Sequence, residues 1–548
     1  MTMTLPESLT NPLLNKSTAF TQVERHNLGL VGRLPSAVET LDQQLQRCYS
    51  QLHACTSNLE RYLYLDQLHR RSDVLYYRLL VDHLAELMPI VYDPTIAEAI
   101  KNWSADYRGT RAVYLSVDRI EDIDESFDNL GLGPDDVDLI VASDAEAILG
   151  IGDWGVNGTD ISIGKLAIYT AAAGVDPARV IAVNLDCGTD NTSLLEDPVY
   201  LGNRHARVRG KQYDRFIAAY LRSAAQHYPH ALLHFEDFGP SNARRIINEY
   251  RDTYRVFNDD MQGTGAVVIA AVMAGLRVTG QTFADQRLLV YGAGTAGTGM
   301  ADQIHAAMMR DGLTDSEARE RIWLIDRNGL VTDDMPDLPD YQAAYARPRS
   351  QVAAADWRRD AAGHIGLLET VRHVAPTILI GTSTDHGAFT QDVIEAMAAQ
   401  VQRPIILPLS NPTERIEAMP QDVIRWSDGR ALVATGIPVD PFDYNGVTYT
   451  IGQGNNALLY PGLGLGVIVS GARTVTDMML LAAAQALASH ADATTIGAAL
   501  LPPVSDLRAS SALVAAAVAR QAEVDNVATV HSDDWDQTVR QAMWWPAY

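Results

Sequence analysis

Two pairs of adjacent acids stand near one another in this chain: Glu236-Asp237 in the run LLHFEDFGPSN and Asp259-Asp260 in VFNDDMQGTGA. Each pair follows an apolar, strand-like segment, where a carboxylate is costly to bury unless something pairs with it. A hard divalent cation is an economical partner, because Mg2+ or Mn2+ takes a few carboxylate oxygens and leaves positions open for substrate. On residue type, Glu236, Asp237 and Asp260 are assigned as metal ligands, with Asp259 as their supporting neighbour. Soon after comes RLLVYGAGTAG, in which Gly292-Ala293-Gly294-Thr295-Ala296-Gly297 fits the dinucleotide fingerprint GxGxxG between a strand and a helix. The first glycine permits a tight turn, the second lets a pyrophosphate approach the backbone, and the third allows close helix packing. Asp326 ends the next strand, in WLIDRNG, where it can bind both ribose hydroxyls; it favours NAD over NADP, while Arg327 beside it pulls the other way. A metal beside a dinucleotide implies a hydride that moves and a carbonyl that must be polarised.

Further polar residues sit where apolar ones are expected. Lys165 lies in SIGKLAIYTAAAG, a mostly apolar helix start. Such a lysine either snorkels to the surface or stands in a cleft. In a cleft, desolvation and a nearby cation would lower its pKa and make it a general base. Tyr92 in MPIVYDPT carries a hydroxyl that needs a partner, which leaves proton transfer and core packing both open. Asn411 in LPLSNPT and Asn455 in GQGNNALLYPG fall near strand ends, where α/β sheets expose polar side chains to ligands.

The elements that must position these residues follow from periodicity. Residues 20–110 read as mostly helical; Leu75–Met88 is one such helix, and Pro89 is expected to break it into a turn. From 113 onward strands and helices alternate, with strands expected at 137–143, 180–186 and 231–235 and a helix at 163–173. A Gly/Ala-rich helix at 263–278 opens a second series, with strands at 288–291, 322–325, 377–380, 405–408 and 432–434. This pattern is α/β, a doubly wound parallel sheet of the Rossmann type. Residues 335–362 read as an irregular surface segment, and the Trp-rich tail as a docking end. The expected division is 1–110 helical, 111–262 for substrate and metal, 263–455 for NAD, and 456–548 returning to the substrate domain.

Composition narrows the class. The 548 residues are 47 % hydrophobic and 20 % charged, with a net charge of −25, an acidity that argues against nucleic acid. Three cysteines without CxxC spacing point to a reducing compartment, neither a disulfide framework nor a zinc site. The start MTMTLPESLTNPLLNKS has no signal-peptide pattern, and the apolar stretches at 267–276 and 480–487 are too short to span a bilayer, so a cytoplasmic protein with no membrane partner is expected.

With these residues assembled, the chain resembles the malic enzyme family over nearly its whole length. The resemblance is carried by KSTAFTQVERHNLGLVGRLP, MPIVYDPT, ILGIGDWGVNG, IGKLAIYTAAAG, HFEDF, FNDDMQGT, GAGTAG, LSNPT and GQGNNALLYPG. It implies L-malate as substrate, NAD and Mn2+ (or Mg2+) as cofactors, and a homodimer or homotetramer. It also implies Lys165 as base with Asp259 beside it, Tyr92 as acid, Glu236, Asp237 and Asp260 as metal ligands, Asn455 against the substrate, and Asn411 against substrate and cofactor. One departure stands out. The family commonly carries an arginine for a malate carboxylate where this chain has Ala147, and often a tyrosine where it has Asn157. Both changes are similar to the malolactic branch, which returns the hydride and forms (S)-lactate and CO2 with no net redox change. The alternative is the NAD-dependent oxidative branch, which releases pyruvate, CO2 and NADH.

Overall fold

The computed structural model describes residues 5–109, 111–354 and 357–548. The first four residues of the amino-terminal stretch, residue 110 and residues 355–356 of the expected irregular segment lie outside the described residues. The alternation of strands and helices produces the α/β class expected, built on two largely parallel sheets.

The first sheet holds β1 (Val113–Ser116), β2 (Leu139–Ser143), β3 (Val180–Asp186), β4 (Leu232–Phe235) and β5 (Val256–Asn258), in the order β1-β3-β2-β4-β5. All its pairings are parallel. Every residue of β2 and β4 is buried, as a parallel strand covered on both faces requires. Phe235 pairs with Asn258, so β4 and β5 end side by side. That register brings Glu236-Asp237 and Asp259-Asp260 out at one sheet edge.

The second sheet holds β6 (Leu288–Tyr291), β7 (Ile322–Asp326), β8 (Gly329–Leu330), β9 (Ile378–Gly381), β10 (Ile405–Pro408), β11 (Leu432–Thr435) and, beyond a two-stranded hairpin of β12 (Phe442–Tyr444) and β13 (Val447–Tyr449), β14 (Gly452–Gln453). Its order is β14-β11-β10-β9-β6-β7-β8, with only β8 antiparallel to its neighbour. Strand order reverses between β6 and β9, which opens a ligand crevice at their carboxyl ends.

Two local expectations are corrected. Leu75–Met88 is not one helix: it divides into Asp73–Asp82 and Leu84–Val91 at His83, whose ring stacks on Tyr49 with centroids 4.1 Å apart. Pro89 lies inside the second helix, where it forgoes one backbone bond, and burial of Leu87, Met88, Ile90 and Val91 holds the turn regardless. The helical stretch 259–279 is also longer than the 267–276 run. Its 21 residues are long and apolar enough to cross a membrane by length and composition, yet 78 % of that window is buried within the protein. It is a core helix linking the two sheets, so close to β10 that a Cβ at Gly275 would stand 2.7 Å from Ile405 Cδ1.

The final part of the chain packs on the helix Thr159–Ala173. Helix Tyr460–Ser470 approaches it through Gly464, where a Cβ would lie 2.5 Å from Tyr169 Cε1. Arg508 Nη1 donates to Ala171 O at 2.9 Å, and Trp544 N to Gly174 O at 2.7 Å.

Candidate active site

Lys165 is fully buried, on a helix buried on nearly every face. Its Nζ lies 2.7 Å from Asp259 Oδ2 and 2.7 Å from Glu236 Oε1. It also sits 4.2 Å from the Tyr460 ring centroid and 4.9 Å from that of Tyr92. The Tyr92 hydroxyl donates to Glu236 Oε1 at 3.1 Å. Gly164 makes this approach possible: a Cβ there would lie 2.6 Å from Ile96 Cδ1 and 3.0 Å from Val91 O, on the segment that carries Tyr92. Strand β4 adds His234, two residues before Glu236 and so on the same face. His234 Nε2 meets Glu236 Oε2 at 2.9 Å, and Nδ1 meets the Tyr169 hydroxyl at 2.8 Å.

Electrostatics differ from the sequence expectation at one point. Burial works to lower the Lys165 pKa, but the carboxylates of Asp259 and Glu236 outweigh it and hold the ammonium well above its ordinary value. In the same cluster, burial raises Glu236, yet Lys165 and His234 bring its carboxyl below the usual range. Burial pushes the Tyr92 hydroxyl far up, and the Glu236 charge adds to it, so Tyr92 keeps its proton.

Oxygens of Glu236, Asp237 and Asp260 all lie within 4.8 Å of one another. Asp237 N donates to Asp260 Oδ2 at 2.8 Å. Asp237 itself has a left-handed backbone (φ 54°), a conformation that aspartate tolerates better than most residues. Its Oδ1 accepts Leu149 N at 3.2 Å, while its buried Oδ2 has no partner. Burial, then the charges of its acidic neighbours, drives Asp237 well above the usual carboxylate range, and the half-buried Asp260 is raised likewise. An orphaned oxygen among crowded carboxylates fits a hard divalent cation. A second set, His234, Glu236 and Asp259, is also close-spaced. There the Lys165 ammonium already supplies the positive charge, so the first set is the better cation site.

The remaining predicted residues divide. Ala147 touches the acid group through its backbone, its N donating to Asp237 O at 3.1 Å. The loop around it is tied down by the buried Arg207, which grips Asp153 at 2.7 and 3.0 Å and donates to Asp144 O at 2.9 Å. Asn157 is buried, with its side-chain oxygen taken by the Ser104 hydroxyl. Asn455 turns its oxygen to Ala457 N at 2.9 Å, capping a turn that packs on the 259–263 turn, a single turn of π-helix. Asn411 is exposed beyond β10 and joins no bond of the lysine cluster. His234, Tyr169 and Tyr460 are additions that sequence reasoning missed. The visible signal was a histidine alternating with the acid in HFEDF and a tyrosine beside GQGNNALL.

In the second sheet, Gly292–Gly297 turns out of β6. A Cβ at Gly292 would lie 2.5 Å from the Thr382 carbonyl carbon, and one at Gly297 2.2 Å from Gly292 O. A Cβ at Gly294 would meet nothing within 4 Å, so the turn presents open backbone to the crevice, with Thr295 and Ala296 opening the helix as a dinucleotide phosphate requires. Asp326 ends β7, where Gln342, buried, bridges its Oδ2 at 2.6 Å and Ala293 O at 2.7 Å.

A Rossmann-type sheet facing a buried lysine and acid cluster defines the class, an enzyme with a dinucleotide-binding half. Residues 69–251 match the family model of the malic enzyme N-terminal domain, and residues 261–523 that of the malic enzyme NAD-binding domain. The chain belongs to the malic enzyme family of NAD-dependent, decarboxylating enzymes. It is 52 % identical to the NAD-dependent malic enzyme 3 of Bacillus subtilis (99 % of this chain, 96 % of the relative). It is 46 % identical to the malolactic enzyme of Lactiplantibacillus plantarum (100 % and 99 %). In fold it is similar to the crystal structure of malic enzyme from Pyrococcus horikoshii, with a TM-score of 0.56 at 21 % identity, covering 84 % of this chain and 89 % of that one.

Proposed function

We propose that this chain converts L-malate and NAD+ to pyruvate, CO2 and NADH. The observation that carries the reading is the shared carboxylate of Glu236, which meets Lys165, Tyr92 and His234 while standing in the Glu236–Asp237–Asp260 oxygen set. Mn2+ or Mg2+ held by that set would supply the Lewis acidity that polarises the C2 oxygen, and NAD+ would supply the hydride acceptor. Lys165 first passes its ammonium proton to Asp259, whose buried carboxyl lies 2.7 Å away and is raised above the usual range, and the neutral amine then takes the C2 hydroxyl proton. Tyr92, protonated and buried, delivers a proton to C3 after CO2 departs. Burial of Lys165, Tyr92, Glu236 and Asp259 excludes water from both transfers.

The greater identity to a relative named as a malic enzyme favours release of pyruvate. A second reading, hydride return to give (S)-lactate, is favoured by Ala147, which brings no charge to the carboxylate end of the pocket, and by Asn157. The full reading includes a cytoplasmic location, for which the free thiols Cys48, Cys55 and Cys187 speak, and the homodimer or homotetramer that the family resemblance implies. One assay separates the products: L-malate, NAD+ and Mn2+ are supplied, and NADH, pyruvate and lactate are measured together. NADH and pyruvate in equal amounts are expected. Lactate without NADH would replace the first reading with the second, and no malate consumption would remove both.

A further inference from the structure

The glycine turn that faces the crevice brings no positive charge of its own. Gly292–Gly297 contains neither lysine nor arginine, and the helix Thr295–Arg310 reaches its first arginine only at its far end. A pyrophosphate seated there would meet backbone N–H groups and a helix dipole but no cation from the turn itself. Two arginines of the other half line the cleft beside it: the exposed Arg245, whose Nη2 is paired with Asp214 at 2.7 Å, and Arg244. Arg244, on the helix Pro240–Tyr250 that follows the acid pair Glu236-Asp237, reaches across to the helix after the turn. Its Nη2 donates to Asp302 Oδ2 at 3.1 Å and touches Thr298 Oγ1 at 3.5 Å. Its Cζ lies 5.8 Å from the Tyr341 ring centroid, next to the buried Gln342. Arg244, Tyr341, Gly294 and Thr295 line one cleft of about 920 Å³, and the buried Nε of Arg244 has no hydrogen-bond partner.

We propose that Arg244 is a cofactor-binding residue that engages the dinucleotide pyrophosphate from the substrate-binding half, an inference that rests on the NAD+ reading above. A guanidinium suits the task, because its planar donors match phosphate oxygens and its charge cannot be titrated away. Asp302 holds its Nη2, while the side chain lines the cleft. The arrangement ties cofactor affinity to the helix that follows Glu236-Asp237, so one continuous segment of chain serves both ligand sites.

The test uses calorimetric binding of NAD+ and ADP-ribose to the full-length protein. R244Q should weaken both by about tenfold and flatten the salt dependence of binding, and R244K should recover part of the loss. D302N breaks the ion pair but keeps the guanidinium, and should bind NAD+ at least as well as the wild type. Affinity for R244Q within twofold of wild type overturns the proposal. So does a loss in D302N equal to that in R244Q, which would make Arg244 a brace between helices. Wild-type protein that binds no NAD+ would instead overturn the functional reading on which this inference stands.

Discussion

Lys165 Nζ stands 2.7 Å from Asp259 Oδ2, with both side chains fully buried, although they lie on different elements far apart in sequence. Removing the lysine strands two buried carboxylates, since Glu236 Oε1 also lies 2.7 Å from Nζ. Lys165→Ala should abolish malate turnover, leave NAD+ binding within a few-fold of wild type, and lower unfolding free energy by about 3–5 kcal/mol. Steady-state kinetics, cofactor titration and urea denaturation check the three parts. Appreciable turnover in this variant would show the base to be misassigned.

Asp237 leaves one buried oxygen unpaired, so a cation bound there should stabilise the fold. Addition of Mn2+ to chelator-treated wild type should raise stability by about 2–3 kcal/mol at a hundredfold excess over Kd. Asp237→Asn should lose most of that gain while keeping NAD+ binding. Thermal melts with and without metal measure it, and an equal rise in the variant would place the ion elsewhere.

Gln342 holds Asp326 in place by bridging it to the glycine turn. Gln342→Leu should raise KM for NAD+ by about tenfold, as expected for loss of a charge-assisted contact, with little change in KM for malate. A malate effect of the same size would point to a wider collapse of the crevice.

Asp73 titrates abnormally for a reason unrelated to catalysis. Burial raises its pKa from the ordinary value to about 6, against a smaller opposing pull from Arg111. A folded pKa above the unfolded one means its stabilising contribution is full below about pH 4 and is lost as pH rises through about 6. Asp73→Asn removes that dependence. Relative to wild type, the variant should therefore gain about 2–3 kcal/mol between pH 4 and pH 7, seen by denaturant unfolding at both values. A constant difference across that range would mean that Asp73 ionises normally.

Much of this was legible in the sequence because it follows from period and type. The apolar runs of β2, β6 and β10 and the glycine turn after β6 needed only strand-length patterns and turn chemistry. The acid pairs stood out because charge at the end of a buried strand demands a partner. What sequence alone could not supply was register. The pairing of Phe235 with Asn258 merges two acid pairs into one cluster, and that pairing is long-range. The direction of the Lys165 pKa in the metal-free site was out of reach for a related reason, since it depends on two carboxylates delivered by separate strands. Pro89 misled because local propensity gave way to burial of its neighbours.

The helix Tyr460–Ser470 places a tyrosine ring over the ammonium of Lys165 and fits there only through its row of glycines. The lysine is therefore roofed by a helix that is synthesised well after both acid pairs. A nascent or carboxyl-truncated polypeptide could form the acid cluster and still leave its base open to water. Exclusion of water from Lys165 thus waits on a helix that lies some two hundred residues beyond the acid pairs it covers.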